Sequence, residues 1–424
     1  MKKPLFYLIT ITTAISLFLA ACGPANAGLA ISNLARVKDP AAPPADVKEL
    51  VAGNTVFALD LYKALRSEDG NLFYSPYSIS LALAMTYAGA RGDTAAQMAS
   101  ALHFTLPEAR LHLAFNALDL GLENPAGDTE SKFVLNIVNS LWGQKDWSFL
   151  PEFLDTLAAN YGAGMRLQDF RSDPEKARQA INAWVAEQTK DKIKDLIPQG
   201  LIDPTTVLVL VNAIYFKAAW EHEFSESLTQ PAPFTRLDGS QVSVPMMQLG
   251  MAEPLPYARG DGWQAVALPY SGGTTEMVIL LPDAGEFDQF EQGLDSARLS
   301  QVLDSLETNG VILTMPKFSF TGAYQLKKTL SGLGMPLAFD EQQADFSGMD
   351  GQHRLFIADV VHKAFVNVDE KGTEAAAATG VVVRPASAMM PEVKMIVDHP
   401  FIFLIRDTST GSILFMGRVL DPGK

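Results

Sequence analysis

Cysteine is almost absent: Cys22 is the only one in 424 residues. The chain beyond it can form no internal disulfide and offers no thiol nucleophile. Histidine is nearly as scarce, and His103, His112, His222, His353, His362 and His399 are scattered, with no two at zinc-ligand spacing. There is no Gly-x-Ser-x-Gly elbow, no His-Glu-x-x-His pair and no phosphate-cradling Gly-x-x-x-x-Gly-Lys loop. These absences argue against an enzyme and call for no cofactor and no metal. Positive charge is also short, 33 Lys and Arg against 48 Asp and Glu, for a formal net charge of −15. An acidic surface repels phosphate backbones and anionic headgroups, which argues against nucleic acid or a polyanion as partner. After the first residues no apolar run is long enough and free enough of charge to cross a bilayer.

What is present begins at the N-terminus. Met1-Lys2-Lys3 leads into an apolar run from Leu5 to Ala21, read as a secretory leader over residues 1–21. Its small-residue end, Leu19-Ala20-Ala21-Cys22-Gly23, resembles a bacterial lipoprotein signal, in which Cys22 carries lipid and becomes the new N-terminus. Cleavage of an ordinary signal peptide near Cys22 is the alternative. Either way the chain is expected to be exported, lipid-anchored to a bacterial membrane or cell surface, or extracellular. Residues 22–46, with Pro40, Pro43 and Pro44, read as a flexible tether. No second linker of that kind follows, so residues 47–424 are expected to form one large domain.

Near the C-terminus stands a stretch of divided tendency. Glu370-Lys371-Gly372-Thr373-Glu374 runs into Ala375, Ala376, Ala377 and Ala378, then Thr379-Gly380 and three valines. A threonine cap and four alanines favour a helix, whereas the glycine and the β-branched run favour a strand. As a strand, Thr373, Ala375, Ala377 and Thr379 would share one face of small residues, able to enter a sheet without overpacking it.

Upstream, Ser75-Pro76 is a helix start, with the hydroxyl as cap and proline in the first turn. The following helix is apolar nearly all round and is expected to be buried. Leu135–Trp142 alternates as a strand, and residues 181–197 have helical spacing. Val207–Phe216 is a continuous apolar run, expected of a central strand covered on both faces. Phe401–Arg406 and Phe415–Val419, joined through Thr410-Gly411, make a hairpin.

The hinge at 370–380, the Asn71–Met85 block, Asn212 within its apolar run, Met315-Pro316-Lys317-Phe318, Asp345-Phe346-Ser347-Gly348-Met349 and His362 come in the order of the serpins, which this chain resembles from about Val47 to Pro422. Ala218 stands where family members usually carry glycine, and Asn367 where an acid is more usual. The resemblance implies an α+β class: a large, mainly antiparallel sheet with smaller sheets, a helical N-terminal half and an exposed reactive-centre loop at about 370–392. It implies that Ser75, Ser78, Asn212 and His362 form a hydrogen-bonded cluster holding the sheet shut. It also implies that Trp220 and Lys317 meet Glu370 at the top of the sheet. Counting from Gly372 places the reactive bond at Ala386-Ser387, with slippage to Ser387-Ala388 or Ala388-Met389 left open. A small residue before that bond suits elastase-like and some subtilisin-like serine proteases as partners, trapped by a monomer acting as a suicide substrate. The rival reading is a serpin-shaped carrier or binding protein that does not inhibit. Such a protein has no need of a small-residue hinge, and this hinge meets no proline before Pro385.

Overall fold

The computed structural model describes residues 28–123, 134–373 and 392–424. In chain order, β1 (Leu29–Ala30) precedes α1 (Pro44–Leu65), β2 (Leu72–Tyr74), α2 (Pro76–Tyr87), α3 (Gly92–Ala101) and α4 (Glu108–Glu123). Then come β3 (Val134–Gln144), α5 (Pro151–Tyr161), β4 (Met165–Gln168), α6 (Pro174–Gln188) and the long strand β5 (Leu208–Ala219). The C-terminal half is mostly sheet: β6 (Gln230–Thr235), β7 (Gln241–Gln248), β8 (Glu253–Gly260), β9 (Trp263–Pro269), β10 (Thr275–Pro282), β11 (Glu307–Pro316) and β12 (Phe318–Gln325). It ends with β13 (Asp359–Asp369), β14 (Gly372–Thr373), β15 (Glu392–Ile396), β16 (Phe401–Asp407) and β17 (Ile413–Val419).

Among the described residues the strands form two sheets. The first has the order β1-β4-β3-β5-β14-β13-β12 and is mainly antiparallel. The second has ten strands, running β2-β17-β16-β10-β9-β8-β11-β7-β6 with β15 beside β11, so the expected smaller sheets are joined into one path. Strand β5 is buried along nearly its whole length, as its unbroken apolar run requires of a strand covered on both faces. Helix α2 lies beneath the first sheet, with every residue from Pro76 to Thr86 buried. Its cap is Ser75, whose hydroxyl accepts from the Ser78 N–H at 3.1 Å.

Two expectations fail. Helical spacing through residue 197 does not give a helix that long: α6 ends at Gln188. Lys190 and Asp191 take positive φ, and the Thr189 hydroxyl, donating to Val185 O and accepting from Ile193 N, turns the chain back. Ile193 and Ile197 are buried all the same, so their spacing recorded burial and not helix. The tether reading of residues 22–46 also fails from Gly28 onward. Leu29 and Ala30 pair with Arg166 and Met165 as an edge strand, and Val37 N donates to Ala159 O at 2.9 Å. Arg36 reaches Asn116 Oδ1 at 2.9 Å and the buried Asp119 at 2.6 Å. A buried carboxylate needs a cation, and this segment supplies it.

The sheet gap and its hinge

The first site residues lie in one row across the first sheet. Asn139 of β3 faces Asn212 of β5, Asn212 faces His362 of β13, and His362 faces Tyr324 of β12. The N-terminus of α2 presents Ser75 and Ser78 to that row. His362 Nδ1 donates to Asn212 Oδ1, and its Nε2 accepts from the Ser75 N–H at 3.1 Å. Those two partners require the neutral imidazole with the proton on Nδ1. Full burial pulls the His362 pKa down to about 3, so the ring is uncharged. The Asn212 amide donates to Ser78 Oγ at 2.6 Å and to Asn139 Oδ1. Ser75 Oγ donates to Leu414 O at 2.6 Å. All four expected members, Ser75, Ser78, Asn212 and His362, are brought together and are fully buried. Every buried polar group in the row has a partner, as burial demands.

Asn139 is a fifth member that sequence reasoning passed over. It accepts from the Ser78 hydroxyl at 3.2 Å and donates to Ser78 O at 3.1 Å. Its signal was an asparagine inside an alternating strand, but only the register with Asn212 gives it a role.

At the top of the sheet, Glu370 Oε2 accepts from Lys317 Nζ at 2.7 Å, and its Oε1 accepts from the Thr229 hydroxyl at 2.7 Å. Burial alone pushes this carboxyl up, but the hydrogen bonds from Lys317 and Thr229 outweigh it and leave the pKa below its ordinary value. Trp220 does not touch Lys317 through a hydrogen bond. Its indole donates to Asp369 O at 2.9 Å, its backbone N–H donates to Lys371 O at 2.9 Å, and its ring stacks on Tyr270 at 4.5 Å. It therefore clamps the backbone on either side of Glu370.

Beyond that clamp the hinge has already entered the sheet. Gly372 lies opposite Ala219 and Thr373 opposite Ala218 on one side, while β13 pairs with them on the other. Gly372 has φ +151°, and a Cβ there would lie 2.0 Å from Ala218 O, so no other residue fits without displacing β5. Thr373 is buried and shares a 2.6 Å hydrogen bond with the Tyr270 hydroxyl, a partner the sequence did not announce. Lower in the sheet β5 pairs directly with β13 in parallel, from Val209–Asp359 to Tyr215–Phe365. The rest of the expected hinge (Glu374, Ala375, Ala376, Ala377 and Ala378), the expected bond Ala386-Ser387 and the expected lipid site Cys22 lie outside the described residues.

Comparison with known proteins identifies the family. The serpin (serine protease inhibitor) family model matches residues 52–422. The leukocyte elastase inhibitor of Bos taurus is 43% identical over 385 residues, covering 89% of this chain and 100% of that protein. An uncharacterized serpin-like protein of Thermococcus kodakarensis is 41% identical over 377 residues, covering 88% of this chain and 86% of its own length. Among solved structures, Serpin48 of the insect Tenebrio molitor superposes with a TM-score of 0.78 at 31% identity, covering 88% of this chain and 98% of that one. With a hinge strand seated at the head of a closed sheet gap and the family match running over most of its length, this chain belongs to the serpin family.

Proposed function

We propose that the chain inhibits serine proteases as a suicide substrate, by completing the insertion that Gly372 and Thr373 have begun. The observation that carries this reading is the hinge register. Gly372 and Thr373 already run antiparallel to both β5 and β13, and residues β5 and β13 share below them form a parallel pair. Inserting the loop replaces one parallel interface by two antiparallel ones, which are the better bonded per residue. Continued in the same register, Thr379 arrives opposite Asn212, and Ala386 arrives opposite Thr205, below the start of β5.

A protease serine attacking the carbonyl of Ala386 would form an acyl-enzyme and release Ser387 as a new N-terminus. The freed hinge side then enters the sheet, carrying the acyl group the length of about 14 residues, or about 46 Å at ~3.3 Å per residue. A displacement on that scale drags the protease across the molecule and distorts its active site before water can deacylate it. The small side chain of Ala386, with Pro385 before it, suits an elastase-like or subtilisin-like pocket. Arg384-Pro385 is a poor bond for a trypsin-like enzyme, because proline lacks the amide hydrogen and fixes the backbone. The elastase inhibitor among the relatives supports the same class. Lipid on Cys22 would fix this inhibitor to a membrane surface, with two or three acyl chains supplying a firm anchor. The test is to mix the full chain with elastase and with trypsin and to sequence the C-terminal peptide released from any SDS-resistant complex. A complex with elastase and a peptide beginning at Ser387 support the assignment. A peptide beginning at Pro385, or faster trapping of trypsin, would sink it.

A further inference from the structure

The edge of the first sheet carries a feature that protease trapping does not use. The Arg166 guanidinium lies 4.1 Å from the ring centre of Trp184 and 5.4 Å from that of Trp142, flanked by two indoles that meet edge to face. The Trp142 N–H is occupied by Ser140 Oγ at 2.8 Å. Among the described residues nothing accepts a hydrogen bond from Arg166 or pairs with it in contact. Glu187 acts on it only through charge, and burial holds its pKa below the ordinary value. A planar cation held against aromatic rings with its donor fork free is half of a carboxylate site.

The other half surrounds it. Arg166 lines a cleft of about 420 Å³, within the range of small-molecule sites. Polar groups of Ser32, Asn139 and Ser140 share the wall with an apolar strip formed by Leu29, Ile31 and Leu34 of the N-terminal segment. Ile31 and Leu34 are 50% and 54% exposed, so two large apolar side chains stand open at the rim. The second cation of the cleft, Arg36, is already taken by Asp119. One free guanidinium beside an apolar strip open at the rim matches a ligand with one anionic head and one aliphatic tail.

We propose that this cleft binds an aliphatic carboxylate of the fatty-acid type, its head on Arg166 and its tail along Leu29, Ile31 and Leu34. The site is separate from the loop and stands whether or not the chain traps a protease. It nevertheless has a consequence for the sheet. The cleft joins the N-terminal segment to β3, β4 and α6, and Asn139 of the polar row lines it. A ligand that binds only this arrangement stabilises it by mass action against opening.

Titration calorimetry of the full chain with decanoate, decanol and inorganic phosphate, followed in parallel by tryptophan fluorescence, tests the proposal. Decanoate is expected to fill one site, with decanol and phosphate each weaker by about tenfold or more, the loss that follows from removing a charged hydrogen-bond pair or the buried tail. Arg166→Gln should weaken decanoate by a similar factor. Leu34→Glu, at an exposed position where folding is not at stake, should do the same by repelling the carboxylate. Decanol binding as tightly as decanoate, phosphate binding as tightly without a tail, or decanoate affinity unchanged in Leu34→Glu would each overturn it.

Discussion

At the top of the first sheet the space between β5 and β13 is held by a charge pair and two inserted residues. Six residues lower along β5, at Asn212, it is held by neutral side chains with no exposure at all. The chemistry follows from the solvent each region meets. The Glu370 side chain is 9% exposed and its partner Lys317 37%, so charge is affordable there and screened. Around His362 a charge would have no water, so the ring stays neutral and every donor finds an acceptor. The top can therefore admit a strand at little cost, and Gly372 and Thr373 already lie in it. The middle yields only when a whole network opens at once.

The largest expected effect comes from blocking the position the hinge already occupies. Thr373→Arg would place an unpaired guanidinium in a site that is 1% exposed, costing several kcal/mol. The hinge should be expelled and the protein should become an ordinary substrate, cleaved with no covalent complex on a denaturing gel. Trapping at the normal stoichiometry would remove the reason for distinguishing the top from the rest of the loop.

Next comes the polar row. Asn212→Ala strips partners from His362 Nδ1, Ser78 Oγ and Asn139 Oδ1, at about 1–3 kcal/mol for each group left unsatisfied. Faster polymerisation on warming, read by native gel, is the expected outcome, and a monomeric, thermally unchanged variant would contradict it.

Acid separates the two regions without mutation. His362 has a folded pKa of about 3, below its unfolded value, so the unfolded or opened state binds the proton more readily. Its contribution is complete above about pH 6.5 and declines as pH falls toward 3, by up to ~1.4 kcal/mol per pH unit. Glu370 also has a lowered pKa, and its contribution is lost only as pH falls below the ordinary carboxylate value and through the folded one. Opening measured between pH 6 and 5 therefore reports the middle of the sheet, and the top joins in at lower pH. A sheet-opening rate flat from pH 7 to 5 would break this separation.

The smallest effect is expected at the charge pair itself. Glu370→Lys faces Lys317 with a like charge in a partly exposed setting, where such pairs are worth roughly 0–1 kcal/mol. A slight rise in loop-sheet polymers after mild heating, less than for Asn212→Ala, would sharpen the comparison. The reverse order would invert it.

The same contrast explains what could be read from the sequence. Helix α2 and strand β5 were legible because burial on all sides leaves an unbroken apolar run. Apolar spacing misled at residues 189–197, where Ile193 and Ile197 pack on the sheet from a turn set by Thr189. The Gly-, Ala- and Pro-rich start looked like a linker because its order comes from far away, through Arg36 on Asn116 and Asp119. Ser75, Ser78, Asn212 and His362 came from the resemblance, whereas Asn139 needed a strand register that no local pattern contains. Nor did the hinge announce its partners: Trp220 and Tyr270 hold Asp369 and Thr373, far from them in sequence.

The gap below Thr373 is expected to receive the rest of the loop in the register already begun, and a crystal structure of the chain after elastase cleavage shows this outright. The expected result is a new full-length strand between β5 and β13, with Thr379 opposite Asn212 and the parallel β5–β13 pairing gone. A cleaved chain in which Asn212 still lies opposite His362, with only Gly372 and Thr373 in the sheet, would contradict it.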